Sequence, residues 1–513
     1  MSDIWDQRLG FWWIAEDHPD KPAILESPDG AFTFGELAGI AHQTVHYLRS
    51  LGVKKGDAVA GMFSNGADIV ELSLACSEAG IWFIPLNTFL TADEIKLIME
   101  HSEAAAVVFH PQFASAVSLL DPGTPKNVLC AGELEGYTNY HAERAKFPTT
   151  APEEREAGNL FPYTSGTTGK PKGIRRRAVG GDPGKAANDA AVFGRAFDFQ
   201  PFAGPNLVST AMYHGGSHSY YMGALNCGHP LVIMPKFDAE KSLQLIDKYK
   251  VYSAYMVPTQ FHRLLQLDKS IRDKYDYSSL HSVCHSAAPC PFEVKKQMFE
   301  WWGPVIWETY GGMEGAATIA KPHQWVKYPG TVGRAIRGVT IKILDDDGNE
   351  LPPNTIGNIY IEVAGVSFEY KDDPEQTKSA YRGKSFTIGD VGEMNEEGFL
   401  FIRDRAKDMI ITGGVNVYPQ EVEATLLTHP AIADVAVIGL PDQEWGESIK
   451  AVVQLKPDFT ESSELGDEII AFCKQHLASY KCPRSVDFRD SLPRTDAGKL
   501  YKRQLRDEYA AKK

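Results

Sequence analysis

Two long stretches of this chain alternate short apolar runs with amphipathic ones, and that rhythm narrows the fold more than any other feature. Phe32-Thr-Phe-Gly-Glu-Leu37 opens an amphipathic helix running towards Leu51. Gly56-Asp57 marks a turn into a strand at Ala58–Phe63, followed by a helical run at Ala67–Ala79 and an apolar strand at Ile81–Leu86. The rhythm returns between 206 and 300, where strands at Leu231–Met234 and Ala254–Val257 flank a helix at Ala239–Tyr249. Strand–helix–strand repetition predicts parallel sheets covered by helices. From 330 to 402 the texture shifts to short strands, Thr340–Leu344, Gly357–Val363 and Phe399–Arg403, separated by turns. Asp345-Asp-Asp-Gly348 reads as a hairpin turn, since it lacks the alternating ligands and closing Glu of an EF-hand calcium loop. A new βα pattern begins after Asp404-Arg-Ala-Lys-Asp408, so the last ~110 residues form a separate small α+β domain. A length of 513 residues also exceeds what one hydrophobic core usually serves.

Charge excludes one class of function. With 52 Lys+Arg against 67 Asp+Glu the net charge is −15, which argues against non-specific nucleic-acid binding. The balance is uneven: Lys474–Lys513 holds 11 Lys/Arg and 5 Asp/Glu, a net of +6. The seven cysteines are scattered, with no C-x-x-C pair, which fits neither a disulfide framework nor a zinc knuckle. Buried thiols in a reducing compartment are expected. The acidic N-terminus lacks a signal-peptide pattern, and no run approaches the ~18 apolar residues of a membrane span. A cytoplasmic protein is expected, with a peripheral membrane contact left open.

The strongest local signal is Tyr163-Thr-Ser-Gly-Thr-Thr-Gly-Lys-Pro-Lys-Gly173. Glycines let backbone N–H groups approach an anion. The hydroxyls of Thr164, Ser165, Thr167 and Thr168 and the ammonium groups of Lys170 and Lys172 add donors and charge suited to polyphosphate. A Walker A loop is excluded by spacing, and Lys170 is followed by Pro171. Gly180-Gly-Asp-Pro-Gly-Lys185 is a weaker look-alike, read as an ordinary turn.

Further motifs follow in order: Ser286-Ala-Ala-Pro289, Glu308-Thr-Tyr-Gly-Gly-Met-Glu314, Thr387-Ile-Gly-Asp390, Asp404 to Glu423, and Pro493-Arg-Thr-Asp-Ala-Gly-Lys499. Together with the glycine-rich loop, this ordered set resembles the adenylate-forming superfamily of acyl-CoA synthetases, luciferases and peptide-synthetase adenylation domains, over nearly the whole chain. The resemblance implies an α/β fold. A large N-terminal domain (1–404) of two helix-covered β-sheet subdomains plus a small distorted β-barrel precedes a small mobile α+β C-terminal domain (405–513). It implies an AMP-forming acid–thiol ligase using ATP, Mg²⁺ and CoA, as a monomer or homodimer.

By position, the resemblance implies these roles. Thr164, Ser165, Gly166, Thr167, Thr168, Gly169, Lys170 and Lys172 hold the β- and γ-phosphates. Ala288, Pro289, Tyr310 and Gly311 border the adenine. Glu314, with Thr164, serves Mg²⁺. Asp390 and Arg405 reach the ribose, and Lys499 bridges the reacting carboxylate and α-phosphate. Lys407 is the hinge, and Gly413 and Gly414 let the pantetheine arm of CoA pass. His214 borders the acyl pocket and pantetheine tunnel.

One departure stands out. The family usually has Thr or Ser before the motif glutamate, contacting the α-phosphate, whereas this chain has Met313, whose thioether cannot donate a hydrogen bond. A one-residue loop shift or a hydroxyl from Thr309 or Thr318 would have to compensate, or phosphate binding weakens.

The acyl pocket is expected to draw on His214–Tyr221, His285–Ala288 and Gly311–Ala316. Small residues at Gly311, Gly312, Gly315, Ala316 and Ala317 suggest room for a fatty or other bulky hydrophobic acid. His214 and His218 have i, i+4 spacing, but Gly215-Gly216 argues against a helix there, and a metal pair is not expected. Arg175-Arg-Arg177 reads as a solvated or salt-bridged run, with a second substrate carboxylate, CoA phosphates or anionic lipid as alternatives. Two readings compete with the CoA ligase: a stand-alone adenylation enzyme loading a carrier-protein phosphopantetheine, and a non-enzymatic nucleotide-binding protein.

Overall fold

The computed structural model describes residues 5, 7–120, 125–165, 171–176, 180–412, 415–443, 445–494 and 500–510. Alternation along the first 160 residues becomes a six-stranded parallel sheet. Its strands run Thr138–Asn139, Asn127–Cys130, Ala106–Phe109, Ala58–Met62, Trp82–Pro85 and Asn159–Leu160 in spatial order. The helix Phe34–Ser50 begins where the sequence places it. Thr33 and Glu36 form a reciprocal capping box that satisfies two helix-end amides.

A second sheet starts parallel, with Pro22–Glu26, Leu231–Ile233, Asn206–Val208, Ser253–Met256, Ser282–His285 and Ile306–Gly312 side by side. Ala239–Tyr249 is helical, as its apolar periodicity predicts. At Gly315–Ala320 the chain turns back antiparallel. It continues through Gly333–Ala335, Phe399–Arg405, Asp390–Met394 and Gly357–Val363, around an apolar core that includes Ile174, Ile341, Ile359, Phe386 and Leu400. Asp345-Asp-Asp-Gly348 makes a turn closed by the Asp345 carboxylate on the Asn349 N–H, 2.8 Å.

The third unit of sheet structure is local to the C-terminal segment. Val415–Val417, Ile410–Thr412, Gly446–Leu455, Ile432–Asp442 and Ser485–Phe488 form a five-stranded sheet with its own apolar core. Helices Pro419–Leu426, Ser463–His476 and Lys502–Ala510 accompany it. Together these units make an α/β protein with a large N-terminal and a small C-terminal domain. Among the described residues no helix is long and apolar enough to cross a membrane.

The basic tail is mostly engaged within its own neighbourhood. Lys481 pairs with Glu421, Arg489 with Glu508, Arg494 with Asp434, Lys502 with Glu423 and Arg506 with Asp408, at 2.6–2.9 Å. Composition alone made this segment look like a free positive surface. Ion pairing to nearby carboxylates removes much of that charge.

Candidate active site

Strands from three parts of the chain converge where the parallel sheet becomes antiparallel. Asp390 begins the strand Asp390–Met394, and its register partner on the neighbouring strand is Arg405. The pairing sets Arg405 Nε 2.8 Å from Asp390 Oδ1. Arg405 also donates to the Ile388 carbonyl, 2.8 Å. From the other side Tyr310 donates its hydroxyl to Asp390 Oδ2, 2.8 Å. Asp390 is 4% exposed, so a buried carboxylate is met by a guanidinium and a phenol. Burial and the Asp390 charge together push the Tyr310 hydroxyl well above its ordinary range, so it stays a donor.

Gly311 bends the hairpin after Tyr310. A side chain there would meet the Gly315 carbonyl oxygen at 2.6 Å. Glu314 lies just beyond, and its Oε1 accepts from the Tyr370 hydroxyl at 2.9 Å. Tyr370 sits opposite Ile174 in the antiparallel pairing of Phe368–Tyr370 with Pro171–Arg176. The latter strand also pairs with Tyr163–Ser165, matching Lys172 to Thr164. Lys172 places its ammonium 5.4 Å from the centroid of the Tyr370 ring. Burial lowers the Lys172 pKa, partly offset by Asp373 and Glu314.

Thr164, Lys172, Ala288, Pro289, Tyr310, Gly311, Glu314, Asp390, Arg405 and Lys407 are thus described, and Lys407 is exposed after the Phe399–Arg405 strand. The backbone of Ser165 is described but its side chain is not. Gly166, Thr167, Thr168, Gly169, Lys170, Arg177, Gly413, Gly414 and Lys499 lie outside the described residues. Next to Lys499, Leu500 bridges to Arg494, which grips Asp434 bidentately at 2.6 and 2.7 Å.

Four expectations change. First, Gly215-Gly216 does not block a helix: Gly215–Asn226 is helical, with His214 as its N-cap residue. Glycine costs helix stability chiefly in the interior, whereas these two occupy the first two positions. Their missing side chains are needed, because a Cβ on Gly215 would lie 2.0 Å from Met313 Sδ, and one on Gly216 would lie 2.5 Å from the Tyr255 hydroxyl. His218 still belongs to no metal pair: it is buried against Ser73 Oγ at 2.9 Å, and burial pulls its pKa down to about 3.

Second, Thr309 and Thr318 do not replace the hydroxyl missing at Met313. Thr309 donates to the Thr318 carbonyl at 2.9 Å, and Thr318 donates to the Val332 carbonyl at 2.5 Å. Third, the small residues at 311–317 do not outline open space. A Cβ on Gly312 would meet the Glu314 carboxylate at 2.5 Å, one on Gly315 would meet the Phe386 ring at 3.0 Å, and Ala317 is fully buried. Fourth, the arginine run is not simply solvated. Arg175 lies 4.7 Å from the Phe161 ring centroid and 5.9 Å from that of Trp82. Arg176 turns to the opposite face and donates to the Met313 carbonyl.

Tyr370 is the residue that sequence reasoning missed at this site, whereas Arg176 was named there within the arginine run. The adjacency of Arg176 to the glycine-rich loop was a usable signal. Tyr370 carried none, because its proximity to Glu314 depends on how two separate sheets pack together.

A buried carboxylate flanked by Arg405 and Tyr310, with Glu314 and Tyr370 leading on to Lys172, lies in an α/β protein with a large N-terminal and a small C-terminal domain. The profile of the AMP-binding enzyme family matches residues 11–370, and that of the AMP-binding enzyme C-terminal domain matches 421–499. The chain belongs to the AMP-binding enzyme family. It is 30% identical to the long-chain-fatty-acid–CoA ligase FadD13 of Mycobacterium tuberculosis over 508 residues, 96% of either chain. It is 32% identical to the acetyl-coenzyme A synthetase of Bacillus subtilis over 495 residues, 93% of this chain and 85% of that one. Among solved structures, ATP-bound MatB from Rhodopseudomonas palustris superposes with a TM-score of 0.84 at 28% identity, covering 98% of this chain and 99% of that one. Relatives named as CoA ligases and synthetases accord with an acid–thiol ligase that forms AMP.

Proposed function

We propose that this protein activates a carboxylic acid with ATP and transfers the acyl group to CoA. In the first step a carboxylate oxygen bonds to the α-phosphorus, the bond to the bridging oxygen breaks, and pyrophosphate leaves. In the second, the CoA sulfur bonds to the acyl carbonyl carbon, its proton goes to solvent, and AMP departs. The observation that carries the reading is the Tyr310–Asp390–Arg405 cluster. Its carboxylate suits paired ribose hydroxyls, and its cation suits an anionic nucleotide.

Thr164 to Lys172 then cradle the outer phosphates, and Ala288, Pro289, Tyr310 and Gly311 border the base. Lys499 neutralises charge moving between carboxylate and phosphate, a preorganised electrostatic role. The domain boundary falls at Asp404–Arg405. Lys407 acts as the hinge, and Gly413 and Gly414 flank the CoA path beside His214.

Magnesium fits the donor set around Glu314. Among the described residues no group of three or more His, Cys, Asp or Glu forms an all-protein cage. Mg²⁺ is typically held by one or two carboxylates together with substrate phosphates. Glu314, steadied by Tyr370, is such a carboxylate, and Thr164 adds a hydroxyl from the loop. The ion would offset charge on the phosphates.

Incubation of a carboxylic-acid panel with ATP, with and without CoA, tests the reading. Pyrophosphate, AMP and acyl-CoA thioester are the expected products. ADP formation would exclude it. Pyrophosphate release without thioester in the presence of CoA would point to a carrier-protein acceptor.

A further inference from the structure

The strand Pro171–Arg176 carries cations on one face at both ends. Lys172, Ile174 and Arg176 alternate with residues facing the other way, and Ile174 is 1% exposed in the core beneath them. Four residue steps of strand lead from Lys172 to Arg176, so the two side chains leave the backbone about 13 Å apart. Lys172 belongs to the glycine-rich hairpin. Arg176 stands at the far end, beside Met313.

Arg176 is held differently from its neighbours. Arg175 rests against aromatic rings. The guanidinium of Arg176 is half-buried and, among the described residues, makes one hydrogen bond, to the Met313 carbonyl. No carboxylate among the described residues comes within ion-pair distance of it. Glu314 is the anion that acts on it electrostatically, and Glu314 is already engaged by Tyr370. A guanidinium offers five N–H donors in a planar fork, so among the described residues most of its donor capacity is untaken. Holding such a cation away from water without a paired anion is costly. The Met313 side chain in turn packs against Gly215 at the start of the Gly215–Asn226 helix, next to His214. Arg176 is thus linked through Met313 to the start of the helix beside His214, the expected border of the acyl pocket, while the phosphate hairpin lies at the other end of its strand.

Resting on the proposed reaction, we infer that Arg176 recognises a second carboxylate on the acid substrate. A bidentate guanidinium–carboxylate contact fits the planar fork and supplies the direct ion pair that Arg176 lacks among the described residues. The acid is then a dicarboxylic acid or one with an equivalent anionic tail, activated at its other carboxyl group. Long apolar acids are disfavoured, because they leave the cation unpaired.

Matched acids test this on the full-length protein, with pyrophosphate release as the readout: succinate against butyrate, adipate against hexanoate, and terephthalate against 4-methylbenzoate. In at least one pair the diacid should be preferred by about 100-fold or more in kcat/KM, in the range set by losing a buried polar partner. Arg176→Gln should collapse that preference through KM for the acid, with KM for ATP unchanged, and Arg176→Lys should restore part of it. The wild-type preference stands independently of how well either variant folds. Faster turnover of every monoacid overturns the inference and leaves the proposed reaction intact. A rise in KM for ATP in Arg176→Gln with acid preference unchanged assigns Arg176 to the phosphates and also overturns it. ADP formation, or no pyrophosphate with any acid, overturns the parent reaction instead.

Discussion

Asp404 offers a sharp test of how the two domains are joined. Its buried carboxylate, 1% exposed, ends the N-terminal segment and reaches across to the first turn of the helix Pro419–Leu426. Oδ2 accepts from the Gln420 N–H at 3.0 Å, and Oδ1 from the Arg405 N–H at 2.7 Å. It thus caps a helix that begins 15 residues later in the chain. Burial raises its pKa from an ordinary 3.8 to about 6, opposed by Lys502 and by the Gln420 amide. The folded protein therefore keeps this proton to about pH 6, while the unfolded chain releases it near 3.8. Between those values the folded state binds more protons, so the contribution to stability is greatest below the lower value and falls as pH rises through the higher one. At 1.36 kcal/mol per pH unit the full swing is about 3 kcal/mol, and about 1.4 kcal/mol of it, roughly tenfold, falls between pH 5 and 7.5.

Asp404→Asn removes the titration while keeping the side chain's shape. Hydrogen exchange in peptides spanning 415–427, compared between wild type and variant at each pH, cancels the intrinsic pH dependence of exchange. It also avoids treating a multidomain protein as two-state. The protection of wild type relative to Asp404→Asn should fall about tenfold from pH 5 to 7.5. A ratio that is flat or rises with pH would refute the burial argument.

Lys499→Ala should abolish adenylation, costing about 3 kcal/mol or more, yet spare thioester formation from a supplied acyl-adenylate; equal loss of both steps removes the assigned role. Tyr370→Phe deletes the 2.9 Å hydrogen bond to Glu314 and should lower kcat/KM for MgATP about fivefold, with a higher magnesium midpoint, from about 1 kcal/mol of lost support. An unchanged magnesium dependence would show that Glu314 needs no such support. All seven cysteines carry free thiols, six of them buried and Cys290 half-buried, and burial pushes Cys227 up to about 12. At most one thiol per native chain should react rapidly with a disulfide reagent at pH 8, and all seven after denaturation; two or more fast thiols would contradict the burial.

Much of the candidate site was legible from one dimension because its motifs are short and carry their chemistry locally. Asp390 and Tyr310 were named from sequence, and the fold brings their non-adjacent strands close enough for a direct hydrogen bond. Glu314 was named too, but not its partner Tyr370, 56 residues further on. The glycines misled most. Gly215 and Gly216 read as helix breakers, and Gly312 and Gly315 as walls of an open pocket. In each case the absent side chain makes room for a neighbour, from a distant segment at Gly215, Gly216 and Gly315 and from Glu314 at Gly312.

What the sequence by itself determined is what local periodicity and motif order encode. It specified the parallel-sheet halves, the capped helix at Phe34, the change of texture near 330, the separate C-terminal domain and the adenylate-forming family. Tertiary structure alone decided which groups meet. Strand register sets Arg405 beside Asp390, whereas Tyr370 reaches Glu314 from a different sheet. Register also turns Arg175 to aromatic rings and Arg176 to the Met313 carbonyl. The reason is physical: hydrophobic pattern records which face of an element is buried, whereas side-chain convergence depends on pairing between strands far apart in the chain.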